Sequence, residues 1–450
     1  MARLFGTDGV RGVANTPPMT AETVLEIGRA AAYLCKKQRD HYHKIVIGRD
    51  TRRSGSMLES ALTAGICSMG VDVIPLGPMP TPGIAFLTRS LRANMGIVIS
   101  ASHNPYQDNG VKIFSRDGTK LSDAEEDEIE HLITRGRKRM VVSPGSEIGI
   151  AKRIEDPAGR YIVFCKQTFP PSLSLEGMRV VLDCANGATY RVAPAVFSEL
   201  GADAEAINCE PTGTNINELC GSQHTEELTA RVLERQADVG LAFDGDGDRL
   251  IAIDEKGREL TGDHIVAICA RWYKDHDWLR NNSVVTTVMS NFGFLTALRQ
   301  LGMEHSASNV GDRYVYEMMM EKGAVIGGEP SGHVIFLNHH STGDGIITAL
   351  QLLACMRESG LRLSKLANVM RLAPQKHINV NVSRKPPLES LPDLQRAIRR
   401  AEKELAGKGR VLIRYSGTQA MCRVMVEGPN KDITERLALR LSRAVKKALG

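Results

Sequence analysis

The sequence has no CxxC pair and no Cys/His spacing of the kind that holds zinc, although nine cysteines are present. An odd count without pairing motifs argues against a disulfide framework and fits a reducing compartment. No apolar run approaches the length of a membrane span, and Met1 to Asp8 lack the apolar core of a signal peptide. A soluble, cytoplasmic protein without a membrane partner is expected. Massed positive charge is missing too: the net charge is +5 over 450 residues. The two basic clusters, Arg135 to Arg139 and the last helix, are not interleaved with aromatic side chains that could stack bases, so nucleic acid is not indicated. What remains is 42% hydrophobic and 24% charged, an ordinary globular composition. A length prior of about 150 residues per domain allows roughly three domains.

Apolar runs alternate with helical patterns. A helix is expected over Thr20 to Lys37, a strand over Lys44 to Gly48, a helix after Ser54 with Leu58, Leu62, Ile66 and Met69 on one stripe, and a strand over Val71 to Leu76. This β-α-β alternation predicts parallel strands covered by helices. The buried-strand run Met95-Gly96-Ile97-Val98-Ile99 then ends in Ser100-Ala101-Ser102-His103-Asn104-Pro105, where Asn104-Pro105 favours a turn. A strand end thus presents a hydroxyl beside an imidazole, and a Ser next to His can be activated for covalent chemistry. The plainer alternative is that Ser102 only bonds its own turn. Asp108-Asn109-Gly110 reads as a tight hairpin that returns Lys112 beside Ser102 on the strand Val111 to Phe114. The opening segment, Gly6 to Gly12, reads as a loop. The charged segment from Gly48 to Gly55 falls at a strand-to-helix junction, where open α/β sheets place ligand loops, and reads equally as a surface turn.

A second β-α-β run starts at Arg179. Its strand Asp238 to Phe243 ends in Asp244-Gly245-Asp246-Gly247-Asp248-Arg249. Three carboxylates in one glycine-opened turn repel strongly unless a cation neutralises them, and hard oxygen ligands at this density suit Mg²⁺. An EF-hand is the competing reading, because Asp244, Asp246, Asp248 and Glu255 fall at calcium-loop positions. It fails because Arg249 stands where that loop needs Gly and because both flanks read as strands. A third unit carries the strand Ala324 to Gly327 into Gly328-Glu329-Pro330-Ser331-Gly332-His333. Apolar strand running into polar loop has now occurred three times, which suggests three related α/β units facing one cleft. The last 75 residues instead read as α+β, with Arg414-Tyr415-Ser416-Gly417-Thr418 between strands and Arg423 nearby, the equipment for holding a phosphate. Domain divisions are expected at 1–155, 156–256, 257–371 and 372–450.

A Ser nucleophile, a three-Asp metal loop, basic groups at Arg11, Lys112 and Arg249, and a separate phosphate loop form the set that phosphoryl transfer needs. The segments Thr7-Asp8-Gly9-Val10-Arg11-Gly12, Ser100 to Pro105, Asp244 to Arg249, Gly328 to His333 and Arg414 to Thr418, in this order, resemble the α-D-phosphohexomutases. The opening Leu4 to Gly12, with Asp108 to Phe114, is most similar to the bacterial branch that acts on glucosamine phosphate. The resemblance implies a four-domain, heart-shaped α/β protein: three related mixed α/β units around a cleft plus a C-terminal α+β domain. It implies an intramolecular phosphotransferase, an isomerase, in which phosphorylated Ser102 passes its phosphoryl group to a phosphorylated hexosamine or hexose. A hexosamine 1,6-bisphosphate would be intermediate and activator, and the product would feed amino-sugar and peptidoglycan-precursor synthesis.

By the same resemblance Mg²⁺ is held by Asp244, Asp246, Asp248 and the Ser102 phosphate. Glu329 and Ser331 contact sugar hydroxyls, and Arg414, Ser416, Gly417, Thr418 and Arg423 hold the phosphate that is not transferred. Arg11, His103, Lys112 and His333 are the candidates for charge stabilisation and proton transfer, with the base unassigned among them. Tyr415 and Gln419-Ala420 stand where the family usually has Pro and Glu-Pro, and Pro330 also departs from the glucosamine branch; both bear on the choice of sugar. A phosphomannomutase or phosphoglucomutase with the same chemistry, and a non-enzymatic sugar-phosphate sensor, are the other readings. A homodimer is compatible with the chain, and a sizing experiment decides it.

Overall fold

The computed structural model describes residues 4–6, 8–38, 42–416 and 420–450. The chain divides into two compact units, one of residues 1–289 and 303–368 and one of residues 290–302 and 369–450.

The first unit holds three sheets. The first contains β1 (Val10–Val13), β2 (Lys44–Arg49), β3 (Asp72–Pro78), β4 (Met95–Ile99) and β5 (Asp108–Ser115), in the order β1-β5-β4-β2-β3. The second contains β6 (Arg179–Asp183), β7 (Asp203–Ile207), β8 (Val239–Phe243), β9 (Leu250–Asp254) and β10 (Glu259–Leu260), in the order β10-β9-β8-β6-β7. The third contains β11 (Ser283–Thr287), β12 (Glu304–Ser308), β13 (Ile326–Gly328) and β14 (Val334–Phe336), in the order β12-β11-β13-β14. Leaving aside the edge strands β1 and β10, each sheet arranges four consecutive strands identically. The second lies outside the first, the third lies on its other side, and the fourth returns antiparallel. In all three, the polar loop singled out in the sequence joins the third strand to the antiparallel fourth.

The apolar runs explain the layering. All five residues of β4 and all five of β8 are buried, as expected for central strands covered on both faces. The helix Ala21–Lys36 turns Val24, Ile27, Ala31 and Leu34 into the core, and Thr20 caps it by accepting from the Thr23 amide. The predicted helix after Ser54 forms over Gly55–Ser68, but the Ser54 side chain makes no capping bond; its Oγ accepts from Asn109 Nδ2 at 2.8 Å.

Two expectations need correction. The opening segment is not all loop, because Val10–Val13 pairs antiparallel with β5. Asp108-Asn109-Gly110 is not a turn either; all three residues lie in β5, with Asn109 opposite Gly12 and Gly110 opposite Arg11. The reversal occurs earlier, across residues 100–107. An available partner edge decided both cases over local turn propensity.

The second unit contains β15 (Gln375–Asn381), β16 (Arg410–Tyr415) and β17 (Met421–Glu427) in the antiparallel order β15-β17-β16, with helices Pro392–Leu405 and Lys431–Leu449. Leu394, Leu405, Val424, Val426, Leu437 and Leu441 form its core. The helix Phe292–Gln300 belongs to this unit, with the Phe292 amide donating to Glu427 Oε1 at 3.2 Å. This is the α+β layout expected for the last 75 residues.

Candidate functional site

Loop 100–107 leaves the fully buried β4 and must reverse before β5. Ser102 makes the bend in the left-handed region, at φ 52°, and its side chain is buried. Such a conformation costs a non-glycine residue of order 1–3 kcal/mol and persists only where its surroundings fix it. The hydroxyl donates to Asp244 Oδ2 at 2.6 Å. His103 Nδ1 is 3.4 Å away, so the adjacent imidazole is not the principal partner. Burial pushes the His103 imidazole down to about 4, with Arg249 and Arg11 adding to the effect.

Loop 244–249 opens the β8–β9 hairpin. Gly247 adopts φ +74° at the turn, and a Cβ at Gly245 would lie 2.7 Å from the Ser102 carbonyl oxygen, so the two loops touch because residue 245 has no side chain. Asp244, Asp246 and Asp248 are all buried, and one oxygen from each lies within 4.8 Å of the others. Lys112, buried on β5, sends its ammonium to Asp246 Oδ2 at 2.9 Å, with Asp8 at 3.3 Å and Asp248 at 3.8 Å. Thr81 donates to the same Asp246 oxygen at 2.7 Å.

The electrostatics follow from that placement. Burial raises the carboxyls of Asp244 and Asp248, and the neighbouring carboxylates raise them further. Burial acts the same way on Asp246, but Lys112 and its hydrogen bonds override it and hold that group below its ordinary value. Burial alone would lower Lys112, yet Asp246, Asp8 and Asp248 raise it, so it stays charged. The Lys112 ammonium and the Arg249 guanidinium, 3.7 Å from Asp248 Oδ1, are two positive charges against three carboxylates, which leaves negative charge over. Asp246 Oδ1 and Asp248 Oδ1 are buried without a hydrogen-bond partner. Two such oxygens within a cluster of three buried carboxylates fit a hard divalent cation such as Mg²⁺.

Loop 329–333 joins the other two. The Arg249 and His333 backbones form an antiparallel bridge, and the Leu250 amide donates to the Gly332 carbonyl at 3.0 Å. His333 is buried with neither ring nitrogen hydrogen-bonded, Asp312 Oδ2 being 3.6 Å from Nε2. Glu329 is half-buried and accepts from the Gly311 amide at 3.1 Å; Ser331 is half-buried two residues on. Burial lowers Arg249, but Asp248, Asp244 and Glu329 outweigh it and keep the guanidinium charged. Arg11, on β1, pairs with Asp8, which also accepts from Lys120; Lys120 reaches Asp312 Oδ2 at 2.6 Å. The chain Asp246, Lys112, Asp8, Lys120, Asp312 therefore alternates in charge from the metal loop to the neighbour of His333.

The first unit thus brings together Ser102, His103, Lys112, Arg11, Arg249, the three aspartates, Glu329, Ser331 and His333. Thr7 lies outside the described residues. Sequence reasoning missed Thr81, Lys120 and Asp312, whose roles depend on contacts between distant segments. It passed over Asp8 as a charge although the residue stands inside a quoted motif.

In the second unit Arg414 on β16 lies directly opposite Arg423 on β17. Like charges across a ladder are destabilising unless an anion offsets them. Burial and then Arg423 lower the Arg414 guanidinium. Ser416, at the end of β16, is buried, and its carbonyl accepts from Lys385 Nζ at 2.7 Å. Gly417 and Thr418 lie outside the described residues.

Four family models match the chain in order: the phosphoglucomutase/phosphomannomutase alpha/beta/alpha domains I, II and III over residues 2–140, 160–257 and 261–372, and the C-terminal domain over 378–444. A phosphoglucosamine mutase of Syntrophobacter fumaroxidans is 57% identical over 450 residues, covering 100% of both chains. Among solved structures, a phosphoglucomutase/phosphomannomutase family protein from Burkholderia thailandensis superposes with a TM-score of 0.82 at 23% identity, covering 99% of this chain and 97% of its own. An N-acetylphosphoglucosamine mutase from Aspergillus fumigatus, solved with GlcNAc-6P and magnesium, gives a TM-score of 0.70 at 17% identity over 99% of this chain and 96% of its own. At those identities the two structures speak to the fold.

Proposed function

Because the chain belongs to the phosphoglucomutase/phosphomannomutase family, we propose that it interconverts glucosamine 6-phosphate and glucosamine 1-phosphate through a phosphorylated Ser102. The observation that carries this is the Ser102 hydroxyl, held 2.6 Å from Asp244 Oδ2 at the mouth of a buried three-carboxylate cluster. The full-length likeness to a phosphoglucosamine mutase supports the choice of sugar.

The phosphoryl group on Ser102 passes to the free hydroxyl of the bound sugar phosphate. The P–Oγ bond breaks as the new P–O bond forms, and the sugar hydroxyl gives up its proton. The resulting glucosamine 1,6-bisphosphate then presents its other phosphate to Ser102, which takes it back. Lys112 and Arg249, both held charged, face the negative charge that spreads over the transferring oxygens. His333 has uncommitted ring nitrogens in a buried position and is the residue we assign to take the proton. Lys112 and Arg11 are cations, and burial holds the His103 imidazole at about 4. Asp244, Asp246, Asp248 and the Ser102 phosphate would hold Mg²⁺, which supplies positive charge to the transferring phosphoryl group. Glu329 and Ser331 would receive sugar hydroxyls, and Arg414, Ser416, Gly417, Thr418 and Arg423 the phosphate that stays.

Four domains, 1–155, 156–256, 257–371 and 372–450, are the division we adopt. Among the described residues no helix is long and apolar enough to cross a membrane. A cytoplasmic place in amino-sugar supply for the cell wall follows from the proposed reaction.

The test is turnover of glucosamine 6-phosphate, glucose 6-phosphate and mannose 6-phosphate on one preparation with Mg²⁺ and a trace of hexose 1,6-bisphosphate. A strong preference for the glucosamine ester is expected. Equal or better turnover of the others keeps the mechanism and overturns the sugar assignment.

A further inference from the structure

The segment between β2 and the helix Gly55–Ser68 carries Arg52, whose side chain is fully buried against the equally buried Asp50. A guanidinium has five N–H donors in a fixed fork, and here all five are used. Nε donates to Asp50 Oδ2 at 2.8 Å. Nη1 donates to the carbonyls of Asp108, at 3.0 Å, and of Pro105. Nη2 donates to the carbonyls of Ser102, at 2.9 Å, and of Asn104, at 2.7 Å. Every backbone acceptor on this guanidinium therefore belongs to the turn that carries Ser102 or to its exit into β5.

The Asp50 carboxylate completes the grip from the other side. Its Oδ2 accepts from Ser100 Oγ at 2.6 Å, and Ser100 Oγ accepts from the Ser102 amide at 2.9 Å. The amide and the carbonyl of Ser102 are thus fixed by one ion pair, at the residue whose φ is left-handed. A second clamp comes from the loop after β7, where Asn217 Nδ2 donates to the Ser102 carbonyl at 2.9 Å and the Asn104 carbonyl at 3.0 Å. Thr51 and Arg53, on either side of Arg52, tie the same segment to the second sheet's loops through the Asn186 and Gly213 carbonyls, at 2.6 and 2.8 Å.

We infer that Arg52, with Asn217 as a second clamp, is a positioning residue for phosphoryl transfer: it holds the Ser102 turn so that Oγ stays on the carboxylate cluster in both phosphorylated and free states. The inference rests on Ser102 being the phosphoryl carrier. The guanidinium also neutralises the negative ends of four peptide dipoles beside a group that is to carry a dianion. Lysine cannot replace it. Three donors on a flexible stem reach at most three of these five acceptors, which leaves the turn free to relax.

The test measures the rate at which phosphate from glucose 1,6-bisphosphate and Mg²⁺ appears on Ser102, by quenched intact mass, beside steady-state kcat and KM. Wild type should load. Arg52→Lys should keep KM while loading rate and kcat, read well below its own melting temperature, fall about 100-fold, the scale on which an ångström of misplacement acts. Methylguanidinium should restore part of the lost rate to Arg52→Ala and do nothing for wild type. Asn217→Ala, at a half-buried position that leaves the Arg52 ion pair intact, should fold and lose about tenfold in kcat at unchanged KM. Loading by Arg52→Lys and Asn217→Ala at the wild-type rate overturns the inference and leaves the mutase reading standing. So does a loss that only follows the melting temperature, without methylguanidinium rescue. If wild type takes no phosphate on Ser102, the mutase reading falls and the positioning role falls with it.

Discussion

The Oγ of Ser102 and Oδ2 of Asp244 are 2.6 Å apart although 142 positions separate them in the chain. The contact joins two sheets of the same design, each offering the loop between its third and fourth strands. Ser102→Ala removes the hydroxyl proposed to carry phosphate. Its turnover should fall by at least about a thousandfold, and intact mass should show no phosphate after incubation with hexose bisphosphate.

Asp246→Asn keeps the shape of the side chain and removes one charge from the cluster. Turnover should drop by roughly 100-fold or more, with the circular dichroism spectrum unchanged. Near-normal activity would defeat the Mg²⁺ assignment.

The Lys112 ammonium lies on Asp246, and Lys112 is 2% exposed. Lys112→Met leaves the buried Asp246 without that partner, a change expected to cost roughly 3–5 kcal/mol. A divalent cation supplies the missing charge from the other side, so melting curves should show a larger Mg²⁺-dependent rise for this variant than for wild type. Equal rises in the two proteins would mean that metal and lysine do not share the same carboxylates.

His340 gives a pH dependence whose sign is fixed. Its Nε2 donates to the Pro82 carbonyl at 2.8 Å while Nδ1 accepts from the Ser341 amide at 2.8 Å, which requires the neutral ring. Burial lowers it to about 4 from an ordinary 6.5. The unfolded chain therefore binds this proton first as pH falls, and stability is lost from about pH 6.5 down to about pH 4, by roughly 3 kcal/mol. Denaturant titrations at pH 7 and pH 5 should show the loss, and His340→Gln should flatten the slope.

Arg423 faces Arg414 across the ladder. If the pair holds the phosphate that is not transferred, as proposed, Arg423→Ala removes one of its two charges, and KM for the sugar phosphate should rise about tenfold with a smaller change in kcat. A fall confined to kcat would move Arg423 out of substrate binding.

The sequence displays this site unevenly, for physical reasons. Ser102 and the three aspartates stand out because strand, glycine and polar side chain are neighbours in the chain, and local spacing suffices to place them. Asp312 and Lys120 do not, because their meeting joins positions 192 residues apart. Arg52 sits in a charged segment that reads equally as a surface turn, and only the carbonyls arriving from residues 102–108 show that it is buried. β1 was hidden for a similar reason. Gly9 precedes and Gly12 interrupts a four-residue stretch too short to show a period, and the free edge of β5 makes it a strand.

In each of the three sheets the active loop is anchored at both ends in an antiparallel ladder, β4 with β5, β8 with β9 and β13 with β14. Side chains alternate across a strand, so a slip of one residue turns every one of them to the opposite face. Lys112 stands opposite Val98 in that ladder. A change in loop 100–107 that slipped this ladder by a single residue would point its ammonium away from Asp246 without touching either residue. Natural variation in this molecule should accordingly spare the length of these three loops even where it changes their composition.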